Sequence, residues 1–202
     1  MKINIISFFF SIIIFLGCTT VDNELIDDIN SRNLFRDKYN AIELTDYKLL
    51  PADLEIEKLP TLTQEEANYF LDKVKENSSS TIKEGIIEQS KSINNSFKIN
   101  MDKIIKNIFN LSCSLHFWST ESQVIMYKGY TTSFESSLAK WHIKGFKFYL
   151  DTTDNSSYIF ESESFLYIKV RDNETIYYQT PYKIKGKFSP ITKISSFLYT
   201  MD

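Results

Sequence analysis

The sequence predicts an α+β domain in which N-terminal helices, at about 63–110, pack on an antiparallel β-sheet, at about 111–188. Two observations favour this fold class. Apolar residues follow helical spacing before residue 110 and alternate with polar residues after it. Helices also precede the strands as a block instead of alternating with them, which is typical of an antiparallel sheet that packs one face on helices. A short C-terminal helix is expected to end the domain.

The first predicted helix begins with a capping box at Thr63. The Thr63 hydroxyl can accept a hydrogen bond from the backbone of Glu66, and the Glu66 carboxylate can accept one from the backbone of Thr63. One apolar stripe follows: Ala67, Phe70, Leu71 and Val74. These signals predict a helix that ends near Asn77.

Two more helices are predicted between residues 81 and 110. The second begins where the capping-box spacing recurs, from Thr81 to Glu84. In the third, apolar residues again follow helical spacing: Phe97, Met101, Ile104, Ile105, Ile108 and Phe109. The two could also form one long helix, bent at Asn94 and Asn95.

The strands are predicted from runs rich in β-branched and aromatic side chains, with turn residues between them. Two such runs flank Arg171-Asp172-Asn173, which predicts a hairpin. Asp151 and Asp154 lie in another loop, where they are expected to stabilise turns because the loop lacks the glycine and distal glutamate of a calcium site.

The last predicted element is a helix over residues 190–198. A proline stands in its first turn, and the apolar side chains that follow have helical spacing: Ile191, Ile194, Phe197 and Leu198.

The first 17 residues predict a signal peptide. Lys2 precedes an apolar stretch from Ile5 to Leu16. A helix of that length spans roughly 18 Å, against about 30 Å for the interior of a bilayer, so it is too short to cross.

The stretch Phe15-Leu16-Gly17-Cys18 resembles the lipobox of bacterial lipoproteins, and the Ile, Asn, Lys and Phe richness is similar to that of Borrelia-type spirochaete lipoproteins. The resemblance implies that a diacylglycerol is attached to the Cys18 thiol, that the chain is cut before Cys18, and that the new amine is acylated, for example with palmitate. It therefore implies a lipid anchor in the cell envelope, at the outer membrane and cell surface or, alternatively, on the periplasmic face.

Residues 18–61 are predicted to be an acidic tether, partly disordered or weakly helical, and residues 62–202 to be the single α+β domain. Ten acidic and five basic side chains lie between residues 18 and 60, which favours solvation over adhesion to an anionic membrane. The whole chain has 23 basic and 26 acidic residues, and this mild charge gives no indication of a nucleic-acid partner.

The sequence predicts no metal ligand, no cofactor and no catalytic residue. Cys113 is left without an intramolecular partner if Cys18 is lipidated, and we expect it to be a small buried residue in a strand, with intermolecular pairing as the alternative. His116 lies three residues further along, so the two side chains would point to opposite faces of the strand. His142 stands in no ligand motif, and both histidines are expected on the sheet surface.

Aromatic residues and a lysine run are the candidates for binding. Most aromatic side chains after residue 116 are expected to fill the core, while a minority could be exposed and bind a partner: Tyr127, Tyr130, Tyr177, Tyr178 and Tyr182. Lys183, Lys185 and Lys187 alternate, so they would share one face of a strand. A solvated edge that deters strand pairing is one interpretation, and binding of an acidic partner or a glycosaminoglycan is the other.

From these features we expect a membrane-anchored lipoprotein whose domain binds a protein or glycan partner of the host or of the envelope. A periplasm-facing structural or envelope-maintenance lipoprotein is the alternative. A hydrolase with a carboxylate pair is a third hypothesis, although the sequence contains no catalytic motif.

Overall fold

A computed structural model describes residues 29–44, 54–78, 83–89, 96–119, 124–192 and 194–201. The chain divides into two units, residues 1–38 and 39–202. In the first unit, residues 29–38 are described, and they are helical. Cys18, the predicted signal peptide and much of the predicted tether lie outside the described residues.

The described part of the second unit is mostly β. Its strands are β1 (Ile42–Leu44), β2 (Leu62–Thr63), β3 (Lys83–Gln89), β4 (Ser96–Ile105), β5 (Phe109–Ser119), β6 (Val124–Glu135), β7 (Lys140–Leu150), β8 (Tyr158–Arg171), β9 (Thr175–Pro181), β10 (Lys183–Ser189) and β11 (Ile194–Thr200). Helix α1 covers residues 29–39, helix α2 covers Gln64–Ser78, and a 3₁₀ turn covers Ile56–Lys58.

The strand order places β8 at the centre of the first sheet. One edge of β8 pairs with β7 and, near its end, with the parallel strand β2. Its other edge pairs with β9 and β10, whose outer edges pair with β1 and β11 respectively. The first half of β3 pairs with β11 and its second half with β4, and β4, β5 and β6 follow as an antiparallel meander, the second sheet.

β9 and β10 act as one long strand opposite β8. The hairpin predicted around Arg171-Asp172-Asn173 is confirmed. β9 and β10 pair with β8 in the same register on the two sides of Tyr182. At Tyr182 itself, serine side chains of β8 take part in the hydrogen bonding between the strands. The Ile184 N–H donates to Ser162 Oγ (2.7 Å), and Ser164 Oγ donates to the Tyr182 carbonyl (2.5 Å). Both serines are buried, so their hydroxyls satisfy backbone groups that water cannot reach.

Strands β6 and β7 face each other through side chains. The strand pairings described for this part of the chain do not join them, but the Tyr127 and Phe148 rings lie 4.5 Å apart. The Tyr130 hydroxyl also donates to the Ile143 carbonyl (2.9 Å). Aromatic packing thus holds these two strands together in place of a backbone ladder.

The predicted α+β fold class is wrong, because only the first of the helices predicted between 63 and 110 is present in the described part of that range. The other two regions form β3 and β4, and the predicted C-terminal helix is β11. The expected arrangement of a helical layer on a sheet is therefore replaced by a β-rich unit with α2 as its one long helix among the described residues.

The third predicted helix failed because its apolar spacing fits two periods. Phe97, Met101 and Ile105 are four residues apart, which suits one helix face and one strand face equally. Ile99 and Ile104 distinguish the two: Ile99 is buried and Ile104 is 70% exposed, as strand alternation requires. The many β-branched residues here also favour a strand.

The C-terminal helix failed for a similar reason. The buried side chains of β11 alternate at Ser195, Phe197 and Tyr199, whereas Ile194 is exposed. Pairing with β10 on one edge and β3 on the other decides the conformation. Neither pairing can be read from residues 190–198 alone.

Helix α2 follows the sequence prediction. Thr63 N–H donates to the Glu66 carboxylate (2.8 Å), and Glu66 N–H donates to the Thr63 hydroxyl (3.2 Å), which confirms the capping box. The predicted apolar stripe is fully buried: Ala67, Phe70, Leu71 and Val74. No helix among the described residues is long and apolar enough to cross a bilayer.

Candidate functional site

The β4–β5 turn and the β6–β7 turn lie side by side and form a groove. Asn107 has a φ of 63°, a left-handed conformation that asparagine tolerates better than most residues. The Ser136 hydroxyl joins the two turns, because it donates to the Ile108 carbonyl (3.0 Å) and accepts from the Leu138 N–H (3.2 Å). The hydrogen bonds of Ser136 therefore fix the position of one turn relative to the other.

The groove has a volume of about 590 Å³. Aromatic packing supports its floor, where Phe134 lies 5.2 Å from Phe109 and 6.3 Å from Trp141 between ring centroids. The lining residues are Ile105, Asn107, Ile108, Phe109, Asn110, Phe134, Glu135, Ser136, Ser137 and Lys140.

The rim of the groove is polar. Asn107, Asn110, Glu135 and Ser137 are exposed, and Lys140 is half-buried. Amide and hydroxyl groups can both donate and accept hydrogen bonds, and the rim adds one carboxylate and one ammonium group. The groove is open and its exposed lining is mainly polar, so hydrogen bonds with the rim would supply most of the contact with a small polar ligand.

A second depression, of about 310 Å³, opens on the other side of the β6–β7 turn. Its walls are apolar, and Glu65 and Glu66 at the start of α2 place carboxylates beside it. Tyr69 is 61% exposed at its edge. The Glu66 carboxylate is already engaged by the capping box, which leaves Glu65 as the carboxylate without a described structural contact.

The five tyrosines predicted for partner binding do not form an exposed site. Tyr178 and Tyr182 are buried, so they belong to the core. Tyr127 and Tyr130 are half-buried in the contact between β6 and β7, and burial raises the pKa of both phenols. Tyr177 is half-buried too, with the Lys169 ammonium group 5.8 Å from its ring centroid. Of the seventeen aromatic residues from Phe117 to Phe188, seven are buried, eight are half-buried, and Trp118 and Tyr149 are exposed, so the expectation that most fill the core holds only in part.

The three predicted lysines do share one face of β10, while Ile184 and Phe188 point into the core. β10 lies between β8 and β11, so the interpretation as a solvated edge is wrong. Lys183 and Lys185 each lie within 3.8 Å of the Glu161 carboxylate.

Lys187 forms the tightest ion pairs on this face. Its Nζ lies 2.6 Å from Asp151 and 2.8 Å from Asp154. These contacts hold the pKa of both carboxyl groups below the ordinary value and raise the pKa of Lys187. The second oxygen of the Asp151 carboxylate accepts a hydrogen bond from the Thr153 N–H, and that of Asp154 accepts from the Ser156 and Ser157 N–H groups. These bonds confirm the predicted role of the two aspartates in the turn.

Cys113 is fully buried in β5, as predicted, and burial raises the pKa of its thiol to about 12. His116 is half-buried on the opposite face, with Nε2 3.3 Å from the Thr131 hydroxyl. His142 is half-buried on β7. Among the described residues no three His, Cys, Asp or Glu side chains come close enough to hold a metal ion.

Sequence reasoning missed the groove because it assigned residues 97–110 to a helix. The available signal was Asn107, which separates two alternating runs and marks a turn. Ser136 and Ser137 could be recognised as turn residues, but their proximity to Asn107 depends on the pairing of β5 with β6.

No curated protein and no solved structure matches the chain at a significant level. A family model described as a domain of unknown function, DUF5033, matches residues 27–201, so the chain belongs to this family.

Proposed function

We propose that the chain is a membrane-anchored lipoprotein, with its lipid on Cys18, whose β-rich domain acts by binding and not by catalysis. The groove of about 590 Å³ is the observation that carries the binding function. The lipobox resemblance at Phe15-Leu16-Gly17-Cys18 supports the anchor.

The groove supports binding better than hydrolysis. Glu135 is the one carboxylate among its described lining residues, whereas a glycosidase requires two. The Ser136 hydroxyl is engaged on both sides by backbone groups, so it is a structural residue and not a free nucleophile.

A cell-surface position would present the groove to a protein or glycan of the host or of the envelope. Protease treatment of intact cells tests this position. The full chain should be digested on intact cells, and Cys18→Ala should accumulate as an uncleaved precursor that carries no lipid. Protection from protease until the outer membrane is opened would instead support the periplasm-facing alternative. Unchanged membrane association and processing of Cys18→Ala would contradict the lipid anchor.

The groove is tested by mapping backbone amide chemical shifts of the full chain, in mild detergent, with a panel of disaccharides and dipeptides. We expect at least one compound to give saturable shifts at Phe134, Ser137 and Lys140. Ser137→Tyr places a phenol ring in the groove and should weaken or abolish them, whereas Thr152→Tyr, on an exposed loop, should not. Shifts that survive Ser137→Tyr, or no saturable shifts with any compound, would contradict binding in the groove.

A further inference from the structure

The outward face of β4, β5 and β6 carries ordered rows of polar side chains. Neighbouring strands place these side chains directly opposite each other. The rows are Asp102–Ser112–Ser133, Asn100–Ser114–Thr131 and Lys98–His116–Gly129, with Trp118 next along β5.

Cross-strand hydrogen bonds fix these rows. Ser112 Oγ donates to Asp102 Oδ1 (2.6 Å), and Ser114 Oγ donates to Asn100 Oδ1 (2.8 Å). The Asn100 amide NH₂ and the second oxygen of Asp102 remain available to a ligand. Because the side chains already occupy fixed rotamers, a ligand would not have to order them, which lowers the entropic cost of binding.

One end of this face is basic and aromatic. Trp118 is 37% exposed, and the Lys128 ammonium group lies 4.7 Å from its ring centroid. Lys98 is directly opposite His116. Among the carboxylates whose side chains are described, none forms an ion pair with Lys98 or Lys128, in contrast to the paired lysines of β10. The neighbouring strand β3 places Glu88 directly opposite Lys98.

The lowered pKa of His116 reflects burial and the positive charges at this end of the face. Burial lowers its pKa, and the charges of Lys98 on β4 and Lys128 on β6 lower it further. The Thr131 hydroxyl is the neutral group beside Nε2. Desolvation and the two nearby lysine side chains thus both disfavour the charged form of the imidazole.

We infer that this outward face binds an acidic glycan, a carbohydrate chain that carries carboxylate groups. Lys98 and Lys128 would contact a carboxylate, and the Trp118 ring would pack against the C–H groups of a sugar ring. Further along the face, the Asn100 amide and the Thr131 hydroxyl would form hydrogen bonds with sugar hydroxyl groups.

The composition of the face argues for a glycan and against other anionic partners. A protein interface requires buried aromatic or apolar anchors, but the described side chains of this face include only Trp118 and Ile104 as large exposed apolar groups. Asp102 and Glu135 lie on the same face and would repel a nucleic acid with one charge per phosphate. A glycan with widely spaced carboxylates matches two lysines that are followed first by the Asn100–Ser114–Thr131 row and only then by Asp102 and Glu135.

The basic end of this face is well separated from the groove, although Glu135 lies both on the face and in the lining of the groove. Trp118 and Asn110 are eight residues apart on β5, which at about 3.4 Å per residue places them about 27 Å apart. The two sites can therefore be tested independently.

The test is isothermal titration of the full chain, in mild detergent, with three matched pairs of oligosaccharides. The pairs are sialyllactose with lactose, trigalacturonate with galactotriose, and a hyaluronan tetrasaccharide with chitotetraose. At least one acidic member should bind saturably and at least about tenfold more tightly than its neutral counterpart, and added salt should weaken the binding.

Variants assign that binding to the face. Lys98→Met with Lys128→Met should weaken it by about tenfold or more, and Trp118→Ala should weaken it as well. Lys106→Met with Lys147→Met, two exposed lysines elsewhere, is the matched control, and it should bind normally. Ser137→Tyr should also bind normally, because the groove lies at the far end of β5. Near-UV circular dichroism confirms that each variant is folded.

Three results would overturn the inference. The first is that none of the acidic oligosaccharides binds, and the second is that the neutral members bind as tightly as the acidic ones. The third is that the Lys98→Met, Lys128→Met variant binds as tightly as the control variant. Binding of polyglutamate to this face without binding of any acidic sugar would also overturn it, because the partner would then be an acidic protein.

Discussion

Lys103 is a buried lysine whose ammonium group donates a hydrogen bond to the end of helix α2. It stands on the inward face of β4 between Met101 and Ile105, and it is only 8% exposed. Its ammonium group donates to the carbonyl of Asn77, in the last turn of α2. The last carbonyls of a helix lack intrahelical donors and carry partial negative charge, so a cation is favourable there.

Lys103→Met should lower the free energy of unfolding by about 1–3 kcal/mol, because it leaves the Asn77 carbonyl without this donor. Urea unfolding at constant pH measures the change. Lys106→Met, at the exposed β4–β5 turn, is the control and should change it by less than about 0.5 kcal/mol. Equal effects of the two substitutions would show that the contact with Asn77 contributes nothing.

His116 should titrate below its ordinary pKa of 6.5, because burial, Lys98 and Lys128 disfavour its charged form. NMR titration of the imidazole measures the pKa directly. Lys98→Met with Lys128→Met should raise the pKa towards the ordinary value, and Lys106→Met should leave it unchanged. A pKa at or above 6.5 in the unsubstituted chain would contradict this electrostatic account.

The same pKa shift has a consequence for stability. The folded chain holds the His116 proton less tightly than the unfolded chain, whose histidine titrates near 6.5. Above that pH neither state is protonated, so the histidine has no effect. As the pH falls through 6.5 the unfolded chain gains the proton first, and His116 lowers the free energy of unfolding.

Residue-scale predictions from sequence succeeded where the signal is local. Asp151 and Asp154 bond their own loop, and Cys113 is buried by strand alternation. The exposure of Tyr178 and Tyr182 could not be predicted in this way. Their burial depends on which face of β9 and β10 meets the rest of the domain, and that is fixed by strands distant in sequence.

At the scale of elements, α2 was predictable and β3, β4 and β11 were not. The capping box and apolar stripe of α2 lie within its own residues. Each of the three strands is stabilised by partners elsewhere in the chain, and tertiary pairing overrode a spacing that also fits a helix.

Thr63→Ala should lower the free energy of unfolding by about 1 kcal/mol, because the first turn of α2 loses its hydroxyl acceptor. Thermal or urea unfolding measures the loss. Thr61→Ala, two residues earlier and outside the capping box, should have little effect. If Thr63→Ala were as stable as Thr61→Ala, the capping box would not contribute to the stability of the helix.

Gly186→Ala should strongly destabilise the pairing of β10 with its neighbours. A Cβ at this position would overlap the Phe160 ring and lie 2.5 Å from the Ser196 carbonyl oxygen. Overpacking of this kind costs about 1–3 kcal/mol or more. Gly145→Ala is the matched control, since nothing lies within 4 Å of its Cβ position.

Urea unfolding of the two glycine variants gives the comparison. The Gly186→Ala midpoint should fall well below that of the unsubstituted chain, and the Gly145→Ala midpoint should stay close to it. Equal midpoints for the two variants would show that the close approach of Phe160 to Gly186 is relieved without cost.

At the scale of the whole molecule, the strand order could not be predicted from the sequence. The strand order runs from β1 through β9, β8, β10, β11 and β3 to the meander, and its pairings join residues far apart in the chain. Such an order leaves no periodic signal in the sequence. The groove at the turns and the polar face of the meander both follow from it, so neither could be located before the pairing of β4, β5 and β6 was known.

We propose that a lipid on Cys18 holds this domain to the envelope, and the intact mass of the chain purified from membranes measures that modification. We expect a chain that begins at Cys18 and is heavier than its polypeptide by a diacylglycerol and an amide-linked acyl group. A chain of unmodified mass, whether it keeps residues 1–17 or begins at another residue, would contradict it.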